Sequence, residues 1–210
     1  MGEMKTECLT VGMVQTNCYL VYEEGMKKAV LIDPGDLGKE LAQYVQEKQL
    51  ELQAILITHA HFDHVWGLEA VREAFPQAMV YVCENEKQLC EDPEKNLSAA
   101  YGRPVRVRPD RWVKDQEQFE AAGFEFTVIT TPGHTEGCCC YYIKERNILF
   151  SGDTLFEESV GRTDFPTSSM SALVRSVREK LFVLPEETKV CPGHGGATSI
   201  GHEKKYNMFV

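Results

Sequence analysis

No stretch of this chain is apolar enough to cross a bilayer, which argues against a membrane protein. Its first seven residues, Met1 to Glu7, lack the apolar centre of a secretory signal, so the expected compartment is a reducing cytoplasm. Positive charge is in short supply: 22 Lys and Arg stand against 32 Asp and Glu, for a net charge of −10. That balance argues against broad binding to nucleic-acid phosphates, and leaves a small molecule as the expected partner. None of the eight cysteines is paired in C-x-x-C spacing, and in a reducing compartment they are expected as free thiols. Linkers, low-complexity segments and short-period repeats are missing as well. What is left, 210 residues that are 43% hydrophobic and 26% charged, reads as a single globular domain over 1–210. Nothing in it specifies an oligomeric state.

Histidine is also scarce, with six in the chain, yet three of them fall in Thr58-His59-Ala60-His61-Phe62-Asp63-His64. This stretch follows the apolar run Ala54-Ile55-Leu56-Ile57, which reads as a buried strand. Protonated imidazoles would repel one another there, and neutral ones have lone pairs to satisfy. A divalent cation resolves both problems, since His nitrogen and Asp oxygen are ordinary zinc ligands. His59 and His61 are two apart at a strand end, where alternate side chains share a face. Asp63 and His64 lie past the turn and approach from another side.

The rest of the chain alternates strands and helices. Strands are expected at 18–22, 29–32, 53–57, 79–82, 124–129, 138–143, 148–150 and 189–191. Helices are expected from an Asp36 N-cap through Lys48, from Val65 to Phe75, at 84–90, from Ser168 to Leu181, and in the tail from Ser199. The first should bury Leu37, Leu41, Tyr44 and Val45. Asp92 to Pro104 reads as a loop and as the most mobile segment. Each half gives several strands and then a helix, which suits a two-sheet α/β (α+β) sandwich with helices outside. Three further strand ends finish in sharp glycine-containing turns with one ligand-type residue each: His134, Asp153 and His194. With the first stretch they supply enough groups for two metals.

Five segments carry a family resemblance: Asp33-Pro34-Gly35-Asp36, the histidine stretch, Thr131-Pro132-Gly133-His134-Thr135, Ser151-Gly152-Asp153-Thr154-Leu155-Phe156 and Pro192-Gly193-His194-Gly195. Together they resemble the metallo-β-lactamase superfamily. Gly161 to Pro166 and Thr198 to Glu203 are similar to its short glyoxalase II-like branch. The resemblance implies a four-layer αβ/βα sandwich of two mixed sheets, with the site at one edge. It implies that His59, His61 and His134 hold one metal, that Asp63, His64 and His194 hold the second, and that Asp153 bridges both. It places Asp33 behind the ligands, orienting an imidazole. Zinc is the expected metal, with iron or manganese compatible with the same ligands.

Two such ions imply a metal-bound water as nucleophile, attacking a carbonyl carbon with Asp63 helping to orient it. A thiolate leaves readily, so a small thioester of the S-hydroxyacyl-thiol type is the expected substrate. Longer glyoxalase II enzymes grip glutathione with a C-terminal helical domain that this chain, ending at Val210, lacks, so the thiol carrier stays open. Rival readings are a lactone, lactam or phosphodiester hydrolase, a mononuclear iron persulfide dioxygenase, and a metal-binding protein without catalysis. Arg162 has two readings: a contact to a substrate carboxylate, or an ion pair with Asp164. Cys138, Cys139, Cys140 and Cys191 are expected as buried structural thiols, and His202 as a surface helix residue.

Overall fold

A computed structural model describes residues 2–210. The first sheet runs in the order of its strands: β1 (Met4–Val11), β2 (Thr16–Glu23), β3 (Lys28–Ile32), β4 (Glu51–Ile57), β5 (Met79–Cys83) and β6 (Arg111–Val113). β1, β2 and β3 pair antiparallel, and β3 to β6 pair parallel. The second sheet contains β7 (Gln118–Ala121), β8 (Phe124–Thr130), β9 (Cys139–Ile143), β10 (Ile148–Gly152), β13 (Lys189–Pro192) and β14 (Thr198–Ser199), in the order β14-β13-β10-β9-β8-β7. Between β10 and β13 the chain forms a small ribbon, β11 (Leu155–Phe156) with β12 (Ser159–Val160).

Period-two alternation in each sheet sorts side chains to opposite faces and builds three apolar layers. Val21, Ile32 and Leu56 of the first sheet meet Phe126, Tyr141 and Phe150 of the second in the central layer. The outer face of the first sheet packs Leu31, Ile55 and Val80 against α1 (Gly38–Glu47) and α3 (Leu68–Ala74). The outer face of the second packs Tyr142, Leu149 and Val190 against α5 (Met170–Ser176), its π-helical continuation Val177–Leu181, and α6 (Ile200–Tyr206). The architecture is therefore the expected four-layer sandwich. Two short helices, α2 (Phe62–Val65) and α4 (Lys87–Glu91), cap the ends of β4 and β5.

Several hydrogen bonds cross from sheet to sheet near one edge. The Cys139 N–H donates to the Thr58 carbonyl (2.9 Å) and the Asn17 N–H to that of Gly193 (2.7 Å). Tyr141 Oη donates to the Ile57 carbonyl (3.0 Å) and Tyr19 Oη to that of Pro192 (2.7 Å).

Two expectations are corrected. Asp36 is not the N-cap of α1: Leu37 holds that position with φ 53°, half exposed, while Asp36 Oδ1 accepts the Leu37 N–H and an Arg103 N–H. The helix expected from Val65 begins earlier and is broken, because Gly67 turns its N–H to the Pro34 and Gly35 carbonyls between α2 and α3. The segment 92–104 is a loop, as expected, and is hydrogen-bonded to its surroundings: Asn96 Nδ2 donates to the Leu89 and Val105 carbonyls, and Trp66 Nε1 to that of Arg103.

Candidate functional site

Strand ends from both sheets deliver seven ligand-type side chains to one edge. His59 and His61 follow β4, and Asp63 and His64 lie in α2. His134 follows β8, Asp153 follows β10, and His194 follows β13. His59, His61, His64, His134 and Asp153 are buried, while Asp63 and His194 are partly exposed. Three groups have ligand atoms within 4.8 Å of one another: His59, His61 and His134; His59, His64 and Asp153; Asp63, His64 and His194. Gly193 makes the approach possible, since a Cβ there would fall on the Asp153 carboxylate and 2.7 Å from the His64 ring.

Hydrogen bonds behind the cluster fix which ring nitrogen faces it. His64 Nδ1 donates to Asp33 Oδ2 (3.0 Å), so its Nε2 turns a lone pair to the site. Thr58 Oγ1 donates to the same Asp33 oxygen (2.7 Å) and accepts from His59 Nδ1 (3.2 Å). His59 Nε2 is thereby freed in the same sense, and one carboxylate orients two imidazoles. Asp33 itself is held with φ 50° by the Leu56 carbonyl and by the Thr58 N–H at its Oδ1. His134 Nδ1 donates to the Arg162 carbonyl (2.8 Å), and its Nε2 lies 2.9 Å from His61 Nδ1. Two lone-pair nitrogens converging on one point suit a cation.

The donor set passes the further test of unpaired buried atoms. His59 Nε2, His64 Nε2 and Asp153 Oδ1 have no hydrogen-bond partner, which a protein rarely tolerates for so many atoms in one place. Asp153 stands between the groups: Oδ1 is 3.4 Å from His64 Nε2, and Oδ2 is 3.5 Å from His134 Nε2 and 3.6 Å from His194 Nε2. Asp63 Oδ2 lies 3.2 Å from His194 Nε2 and accepts a hydrogen bond from Thr16 Oγ1 (3.0 Å).

Electrostatics sort the rings. Burial, followed by the neighbouring His64 and His134, holds His59 well below the usual imidazole range. Burial likewise lowers His61 to about 3. Both rings are therefore neutral and offer lone pairs. Burial would lower His64 and raise Asp153. In the ion-free protein His64 nevertheless takes up a proton among Asp63, Asp153 and Asp33, and its charge outweighs burial and holds the Asp153 carboxyl well below its usual range.

Two residues that sequence reasoning missed frame this cluster. Thr58 relays Asp33 to His59. Glu86, fully buried, accepts the Ala60 N–H at Oε1 (2.9 Å) and the Thr135 hydroxyl at Oε2 (2.9 Å), tying the His59–His61 turn to the His134 turn. Glu86 has no local signal, being one acid in the run Glu84-Asn85-Glu86. Arg162 lies at the rim but forms a two-pronged ion pair with Asp164 (2.7 and 2.6 Å), so the second of its two readings is the one observed. Cys138, Cys139, Cys140 and Cys191 are buried and free, and His202 pairs with Glu158 on the surface of α6.

Above the cluster opens a cavity of about 370 Å³, with His61, Asp63, His134, Asp153 and His194 in its lining. Among the described residues no helix is long and apolar enough to cross a membrane.

Comparison with known proteins agrees with this geometry. A family model for the metallo-beta-lactamase superfamily matches residues 11–194. A probable metallo-hydrolase of Streptococcus pyogenes serotype M6 is 41% identical over 197 residues, 91% of this chain and 83% of its own. The hydroxyacylglutathione hydrolase GloC of Haemophilus influenzae is 36% identical over 209 residues, 99% of this chain and 98% of its own. Among solved structures, the B3 metallo-beta-lactamase BLEG-1 superposes with a TM-score of 0.92 at 39% identity, covering 98% of this chain and 99% of that one. A di-iron-bound form of TTHA1623 superposes with a TM-score of 0.85 at 37% identity, covering 97% of this chain and 100% of that one. A match of that extent, on a sandwich whose edge gathers these histidines and aspartates, shows that the chain belongs to the metallo-beta-lactamase superfamily.

Proposed function

We propose that residues 1–210 act as one cytoplasmic domain, a dinuclear metal-dependent hydrolase that cleaves a small thioester of the S-hydroxyacyl-thiol type. His59, His61 and His134 would hold one divalent ion, and Asp63, His64 and His194 the second. The observation that carries this reading is the position of Asp153, whose two carboxylate oxygens face histidines of both groups. Divalent ions supply Lewis acidity, lowering the pKa of water towards neutrality and polarising an acyl carbonyl.

The chain's own residues do the rest. Asp33, through Thr58 and His64, keeps the ring nitrogens of His59 and His64 turned to the site. Asp63, steadied by Thr16, presents a carboxylate oxygen at the cavity and orients the attacking water. A thiolate departs without a strong proton donor, which suits a cavity with no such group beyond the ligands. Arg162 stays paired with Asp164 at the rim of the cavity. Likeness to GloC supports the thioester, and likeness to the di-iron-bound TTHA1623 supports iron beside zinc or manganese as occupant. Likeness to BLEG-1 favours a second reading, the hydrolysis of a lactam.

Metal analysis of the protein as isolated should give close to two ions per chain, and S-lactoylglutathione should be turned over faster than lactam, lactone, ester or phosphodiester probes. One iron per chain with oxygen consumption would sink the proposal. Turnover of a lactam above the thioester would transfer it to the second reading.

A further inference from the structure

We infer that the cavity over the cluster selects acyl donors whose leaving portion is apolar and uncharged, with Tyr101 as a specificity-determining wall. The inference rests on the thioester reading and names its substrate class. The floor of the cavity is polar and the walls are not. From the side of the first sheet come Val14, Phe62, Leu97 and Tyr101; from the side of the second come Phe156, Val160 and Phe165. Arg162 is the single Lys or Arg among the lining residues, and it is already spent. Its Nε and one Nη bond Asp164, and its guanidinium lies 4.2 Å from the centre of the Phe165 ring.

A thiol carrier with two carboxylates and an ammonium, such as glutathione, would therefore place charges against aromatic walls with at most one contested partner. Unpaired charges lose hydration there and gain nothing in return. The net charge of −10 adds long-range repulsion to each further carboxylate. An aromatic or branched aliphatic leaving group meets the opposite conditions, because ring faces stack and water leaves apolar wall.

Tyr101 is a prepared wall rather than a loose one. Its ring stacks on Phe62 with centroids 4.2 Å apart and planes 27° apart, and meets Trp66 edge-on at 6.2 Å. The strand of chain that carries it is pinned by Arg103, which bonds Asp36 (2.9 Å) and lies over the Trp66 ring (5.1 Å). Tyr101 remains 51% exposed, so half of it is available to a ligand. Little ordering is left to be done on binding.

The test uses two thioesters that share the lactoyl group, one of glutathione and one of phenylmethanethiol, on the protein as isolated. The phenylmethanethiol ester should have the higher kcat/KM by roughly tenfold. Tyr101→Ala should shrink that ratio about fivefold, and Tyr101→Phe should restore it. A ratio of one or below, or a ratio that Tyr101→Ala leaves unchanged, overturns the inference. Hydrolysis-inert 2-hydroxypropyl thioethers of the same two thiols give a second readout, their Kd values read from Trp66 fluorescence. If neither ester is cleaved, the thioester reading fails. The Kd ratio still decides the cavity: tighter binding of the phenylmethyl thioether supports the apolar wall, and equal or reversed affinities reject it.

Discussion

A single carboxylate can serve several neighbours, and this site uses that economy twice. Asp153 faces histidines of both ligand groups, so Asp153→Ala should release both ions together, with metal content falling from two per chain towards zero. A variant that keeps one tightly bound ion would show that the groups are independent. Glu86 is the other case, and it carries a pH signature. Burial pushes it from the usual 4.5 up to about 7, with Glu136 adding to the rise and its bonds to the Ala60 and Gly137 backbone and Thr135 opposing it. The folded chain therefore keeps a proton that the unfolded chain has released. That contribution to stability is complete below about 4.5 and is lost as pH rises towards 7. Glu86→Gln should flatten the ion-free protein's Tm over that window, removing a slope worth on the order of 2–3 kcal/mol. Equal slopes in both proteins would refute the shift. The convergence of the histidine stretch on one point was legible in the sequence because three imidazoles and a carboxylate in six residues have few other uses. Glu86 and Thr58 were not, since their roles come from who lies behind them in space.

Among the elements, strands and helices that bury a regular stripe were readable, and those that do not were missed. β1 is an edge strand of mixed exposure, and β6 and β7 have three and four residues. Too few apolar positions recur in them to show a period. The start of α1 was misread because Asp36 looks like a cap, whereas tertiary contact decides the turn there. Gly38, at the first position of α1, presses on Gly67, and a Cβ at Gly38 would fall on the Gly67 carbonyl. Gly38→Ala must push α1 off the segment that carries Asp63 and His64, and should cost about 1–3 kcal/mol. Denaturant unfolding would register it as a lower midpoint with an unchanged slope. A neutral result would mean that α1 can shift freely, and would remove it as a support of the site.

The candidate ligand residues come from both sheets, so under the proposed reading ion binding and folding are linked. An ion at about a hundred times its Kd adds roughly 2.7 kcal/mol to the folded state. Chelation should therefore lower Tm by about 5–10 °C for a chain of this size. An unchanged Tm, with loss of metal confirmed by elemental analysis, would show that the ions favour the folded chain no more than the unfolded one. The layer order was legible from the alternation of strands and helices, because each face must find an apolar partner. In the second sheet the β9–β10 hairpin was legible too, whereas the parallel pairing of β10 with β13 was not, since it depends on a crossover that no local pattern records.

The hydrogen bonds that cross between the sheets near the site have a consequence for this arrangement. Apolar layers are non-directional and let one sheet creep over another at little cost. Ligand bonds to a cation tolerate errors of only about 0.2 Å. The greasy interior therefore cannot set the alignment that the site requires. The bonds from Cys139 to Thr58, Asn17 to Gly193, Tyr141 to Ile57 and Tyr19 to Pro192 act as locating pins set beside the ligand-type residues. The two halves of the molecule are free to differ in sequence almost anywhere except where they are gauged against each other.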